Sequence, residues 1–105
     1  METEERRTVS AQAAYPALSL NRYAKNRDTN EREIVDGLRA IGARVVQIDR
    51  PVDLLVGYRR RTFLLEVKSG RGRLTPLQVE FFEAWSGGTA VVVRSLQEAI
   101  DVVTG

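Results

Sequence analysis

Apolar positions change their period along this chain, and the changes divide it into elements. Over residues 30–41, Ile34, Val35, Leu38 and Ile41 fall at i, i+1, i+4 and i+7, the stripe of an amphipathic helix. Asn30 suits its N-cap, Glu33 then takes the third helical position of a capping box, and Gly42 stops it. Residues 43–49, 52–57 and 62–68, rich in Val, Ile and Leu, predict three strands. Leu74-Thr75-Pro76 opens a second helix, with threonine as cap, proline at the first position and Gln78 at the third. Leu77, Phe81, Phe82 and Trp85 supply its apolar face, read most simply as core, and Gly87-Gly88 ends it. Residues 89–94, TAVVVR, predict a fourth strand whose lack of internal charge points to a central place in the sheet. Ser95 and Glu98 form another capping box, opening a last helix with Leu96, Ile100 and Val103 facing inward.

The predicted order is α-β-β-β-α-β-α, an α/β fold without internal repeats. Residues 1–28 lack periodicity and are interrupted by Pro16, which predicts a flexible N-terminal arm with a short ordered piece around 17–23. Its Arg22, Lys25 and Arg27 read most simply as solvated. The folded domain is then residues 29–105. A length of 105 residues suits one compact domain, and 43% hydrophobic with 29% charged residues fits a globular chain.

A net charge of +2 does not by itself argue for nucleic acid. Its distribution says more: between Arg59 and Arg73 there are six basic residues and one acid, Glu66. The sequence has no cysteine, which excludes disulfides, thiolate metal sites and a cysteine nucleophile. It also has no histidine, so any metal must be held by oxygen, which points to magnesium or manganese. No apolar run approaches the roughly 20 residues that cross a bilayer, and the N-terminus does not look like a signal peptide, so a cytoplasmic location is expected.

Charge interrupts two of the predicted strands. PVDLLVG, residues 51–57, contains Asp53; FLLEVKSG, residues 63–70, contains Glu66 and Lys68. Charges inside apolar strands are paired, metal-bound or functional, because burying them alone is costly. A hairpin with an even loop centred between Arg59 and Arg60 pairs residues equidistant from that centre, and Asp53 and Glu66 are such a pair. Their Cβ atoms would stand about 4.5–5.5 Å apart on one face, shared by Lys68 two residues on. Arg-Arg is a poor two-residue turn, so a four-residue loop is expected. Two facing carboxylates make sense where a cation bridges them or Lys68 neutralises part of their charge. A partly buried ion pair without chemistry is the plain structural alternative.

With Asp53, Glu66 and Lys68 on a hairpin after a helix carrying Glu33, the chain resembles a PD-(D/E)xK nuclease. PVDLLVG…LLEVKSGRGRLTPLQVEFFEAW…GGTAVVVRS closely resembles the pattern of the VRR-NUC (virus-type replication-repair nuclease) family over about residues 28–103. The resemblance implies a restriction-endonuclease-like core, a mixed central sheet flanked by helices. It makes Asp53 and Glu66 metal ligands, adds the Val67 carbonyl as a further oxygen, and matches Lys68 to the motif lysine and Gln78 to the glutamine on the next helix. For the first-helix acid Glu33 fits better, with Glu31 as competitor. A capping role alone would also explain Glu33 and Gln78. The chain departs from the family pattern in one place, where Val52 separates Pro51 from the aspartate.

The implied activity is Mg2+-dependent hydrolysis of DNA phosphodiester bonds, with Mn2+ as substitute, on duplex or branched DNA in the manner of a Holliday-junction resolvase. A homodimer is implied as well. Arg71 and Arg73, in the glycine-containing loop after Lys68, are placed to grip the DNA backbone, whereas the Arg59–Arg61 tip reads as a solvated turn. A nucleic-acid-binding module without turnover and an RNA-directed nuclease are the alternatives.

Overall fold

The hairpin predicted from the two charge-interrupted runs lies at the centre of the fold. The computed structural model describes residues 29–105; the expected arm, with its ordered piece at 17–23, lies outside the described residues. The elements follow in the expected order: α1 (Thr29–Ala40), β1 (Arg44–Gln47), β2 (Leu54–Tyr58), β3 (Arg61–Val67), α2 (Pro76–Ala84), β4 (Thr89–Val93) and α3 (Leu96–Thr104). The strands form one mixed sheet, β1-β2-β3-β4, antiparallel in its first two pairings and parallel in the last.

In the β2–β3 hairpin Leu54 pairs with Leu65 and Tyr58 with Arg61, which is the predicted register. The loop is shorter than expected: Arg59 and Arg60 alone make the turn, with φ of 51° and 69°. Two left-handed residues match the twist of a tight hairpin, although neither is the Asn or Gly that adopts this region cheaply. Cation–π contacts help to hold this end, with the Arg59 guanidinium 5.1 Å from the Tyr58 ring centroid and that of Arg61 4.9 Å from Phe63.

Alternation along the strands builds the core on one face of the sheet. Val45, Leu54, Val56, Phe63, Leu65 and Val93 are buried there against Ile34, Val35 and Leu38 of α1 and Ala99 and Val103 of α3. The two helices approach closely at Gly37, where a Cβ would meet the Leu96 side chain at 2.3 Å. The opposite face carries Leu55, Leu64, Ala90 and Val92, all half-buried, and Val46, which is exposed.

Three expectations change. Helix α1 begins at Thr29, so Asn30 lies within its first turn and is not its cap. Strand β4 is an edge strand: β2 already occupies one side of β3, the crossover through α2 lays β4 on the other, and no described strand follows it. Helix α2 buries no residue at all; Leu77 is 77% and Trp85 42% exposed. Its aromatics are therefore not core. They pack on one another, Phe81 lying 5.3 Å from both Phe82 and Trp85, and the Trp85 indole donates to the Gly88 carbonyl at 2.7 Å.

Candidate active site

The charged residues of the hairpin gather where β3 ends and β2 begins. Asp53 lies one residue before β2, in line with the register that would set it opposite Glu66. Its carboxylate Oδ2 accepts the Val67 N–H at 2.8 Å, and its carbonyl accepts the N–H groups of Ile48 and Asp49 at 2.8 and 3.3 Å. A residue's N–H and C=O point to the same side of an extended strand, so the Val67 carbonyl is directed to the Asp53 side too.

Glu66 is 3% exposed. Its Oε2 accepts from the Lys68 ammonium at 3.2 Å and from the Gln78 amide at 2.8 Å. Its Oε1 is buried with no hydrogen-bond partner. Burial raises the Glu66 pKa above the usual carboxylate value; the negative charge of Asp53 adds to that, and contacts with Lys68 and Gln78 only partly oppose it. A buried carboxylate with a second one nearby and an orphaned oxygen lacks positive charge.

Gln78 reaches Glu66 because α2 is capped as its sequence predicts. Thr75 Oγ1 accepts the Gln78 N–H at 3.2 Å, and Gln78 Oε1 accepts the Thr75 N–H at 2.9 Å. One amide thus closes the capping box through its oxygen and binds Glu66 through its nitrogen. The two explanations open for Gln78 hold together.

The first-helix acids separate clearly. Glu33 is solvent-exposed, as follows from its place on the far side of α1 from Ile34 and Leu38, whereas Glu31 is 5% exposed. The Glu31 carboxylate accepts from the Gln47 amide at 3.1 Å. The acid nearest the site is therefore Glu31, and the preference for Glu33 is corrected. The frame shift has a simple cause: with the helix starting at Thr29, the capping box that singled out Glu33 does not form.

Asn30 has a different task. Its amide donates to the carbonyls of Lys68 at 3.3 Å and Arg94 at 3.1 Å, tying the start of α1 to the ends of β3 and β4. The Arg94 guanidinium in turn donates to the Gly70 carbonyl at 3.0 Å, steadying the loop that holds Arg71 and Arg73. Both of those arginines are exposed. Asn30, Gln47 and Arg94 have no motif of their own in the sequence; only long-range contacts reveal them.

The donor set fits a hard cation. Asp53, Glu66 and the Val67 carbonyl offer oxygen alone, and the free Glu66 Oε1 is available to an ion. Among the described residues no three His, Cys, Asp or Glu side chains form a ready-made cluster. Two carboxylates and a carbonyl suit Mg2+, which keeps several of its waters. No family model matches this chain, and neither a curated protein nor a solved structure matches it.

Proposed function

We propose that this chain is a metal-dependent nuclease of the VRR-NUC type within the PD-(D/E)xK superfamily, hydrolysing DNA phosphodiester bonds. The observation that carries the reading is the Glu66 carboxylate, buried beside Asp53, bonded to Lys68 and Gln78, with one oxygen unpaired. A structural ion pair needs no second acid and no orphaned acceptor. Asp53, Glu66 and the Val67 carbonyl would hold Mg2+, or Mn2+ in its place. Bound there, the ion supplies Lewis-acid polarisation of the phosphoryl group and acidifies water.

The chain's own groups have separate roles. The Val67 N–H fixes the Asp53 carboxylate by a 2.8 Å bond. Gln78 holds Glu66 in one orientation. The Lys68 ammonium, 3.2 Å from Glu66, orients the attacking water and offsets negative charge growing at phosphorus. Arg71 and Arg73 meet phosphates flanking the cleaved bond, so binding weakens as salt rises. Two copies acting together suit cleavage of duplex or branched DNA.

Purified chain incubated with a four-way junction, a flap, linear duplex, single strand and RNA, with Mg2+ and then Mn2+, tests the reading. Cleavage is expected with either metal, lost with EDTA, and reduced roughly a hundredfold or more in Asp53→Ala, Glu66→Ala and Lys68→Ala. Glu31→Gln should slow it, while Glu33→Gln stays near the parent rate. Full activity in an alanine variant removes the mechanism, and binding without turnover leaves a nucleic-acid-binding module instead.

A further inference from the structure

The two edges of the sheet are treated differently. At the β1 edge, Arg39 Nη2 donates to the Val45 carbonyl at 3.0 Å, and the strand carries Arg44 and Gln47. Charge and a capped carbonyl are common ways to blunt an edge against pairing. Strand β4, Thr-Ala-Val-Val-Val, has neither. The Val93 carbonyl accepts the Lys68 N–H at 3.1 Å, so Val93, Val91 and Thr89 direct their backbone groups to β3. The N–H and C=O groups of Ala90 and Val92 accordingly point away from the sheet.

This open stretch is closed at both ends. Beyond it, the Arg94 N–H donates to Glu98 Oε1 at 2.7 Å and the Arg94 carbonyl accepts from Asn30. Before it, the Gly88 carbonyl is taken by the Trp85 indole. Of the two-fold antiparallel registers, one centred on Val92 would need the occupied groups of Arg94, and one centred on Ala90 those of Gly88. A register centred on Val91 needs only free ones: Ala90 meets Val92 of a second copy, Val92 meets its Ala90, and four backbone hydrogen bonds form. No charged side chain lies within the paired segment, and the self-complementary pattern is that of an isologous contact.

We infer that β4 is the seam through which a second copy of this chain docks, continuing the sheet about a two-fold axis at Val91. Half-buried Val91, Val92 and Ala90 then lose their remaining exposure on both faces of the joined sheet. The inference gives a place to the two-copy element of the proposed function and rests on that reading only for its purpose. Its test reads association and not cleavage, so a chain that pairs without cutting DNA would sink the function alone.

The sequence has no cysteine, so a single introduced one reports only contacts between copies. Across the proposed axis the two Val91 residues form a non-hydrogen-bonded pair with Cα atoms about 4.5 Å apart, within disulfide range. The full chain is expected to sediment at twice 11.8 kDa over a concentration series. Val92→Lys should return it to the single mass with an unchanged circular dichroism spectrum. Val91→Cys should cross-link rapidly under mild oxidation, and Val46→Cys, at the opposite edge, should not. A wild-type monomer overturns the inference, including one whose Val91→Cys thiol is shielded by the chain's own residues. A dimer in which Val91→Cys cross-links no faster than Val46→Cys overturns it equally, and does so even where Val92→Lys fails to fold.

Discussion

Glu66 shows how a residue can be kept for its chemistry at a cost in stability. Its pKa is raised first by burial and then by Asp53, so the folded chain holds this proton more tightly than the unfolded chain does. The group's contribution to stability is therefore fully present below the ordinary glutamate value of 4.5 and is lost as pH rises through its higher folded value. Glu66→Gln keeps the shape and removes the charge. In metal-free buffer it should melt higher than the parent at pH 7, and its stability should depend less on pH between weakly acid and neutral conditions. Added Mg2+ should raise the parent's melting temperature and leave Glu66→Gln unmoved, because only a site that binds gains by mass action. Scanning calorimetry across pH checks all three, and a Glu66→Gln variant less stable at pH 7 would remove the account. At this scale much was legible in the sequence: Asp53, Glu66 and Lys68 stood out because charge interrupted apolar strands. The choice between Glu31 and Glu33 was not, since it turns on where the helix starts, and a shift of one residue rotates side chains by about 100°.

The elements carry their own ambiguities, and α2 carries the sharpest. Its N-terminus was readable from Thr75, Pro76 and Gln78, and the capping box forms as those residues predict. Its apolar side was misread, because periodicity shows that residues share a face and not whether anything covers it; Leu77 and Trp85 stay exposed. Gln78 joins the two ends of the problem. Gln78→Glu keeps an oxygen for the Thr75 N–H but replaces the donor to Glu66 with a like charge. Helix content should stay as it is while cleavage falls roughly tenfold or more, the worth of a hydrogen bond to a charged group. Circular dichroism and a cleavage rate measured on the same preparation separate capping from site. The hairpin shows the opposite error, in which residue preference was followed and geometry overruled it. Arg60 holds φ at 69° at the second turn position, where glycine fits best. Arg60→Gly should stabilise the chain by about 1 kcal/mol in urea titrations, provided the Arg59–Tyr58 contact is left in place.

At the scale of the whole molecule, the site is an assembly of distant pieces, and this is where the sequence alone falls silent. The order of elements and the β2–β3 register follow from local pattern and from the distance of residues from one turn. The position of β4 at an edge depends on which side of β3 the crossover returns to, and strand composition does not encode it. Asn30 lies 38 residues from Lys68 and 64 from Arg94, yet one amide joins their carbonyls. Without it, the start of α1 is no longer fastened to the sheet end that carries Lys68. Asn30→Ala should cost about 1–2 kcal/mol in global stability, the usual range for losing partly buried hydrogen bonds. Under conditions where the variant is fully folded, its cleavage rate at saturating DNA should still fall. That excess loss would reflect Lys68 and the 69–73 loop moving relative to Asp53. Asn30→Asp is the discriminating companion: it keeps the volume but turns a carboxylate oxygen toward two carbonyls, so it should be the worse of the two in both assays. If both variants lose stability while the folded enzyme cuts at the parent rate, Asn30 is a fastening of the fold and has no part in placing the site.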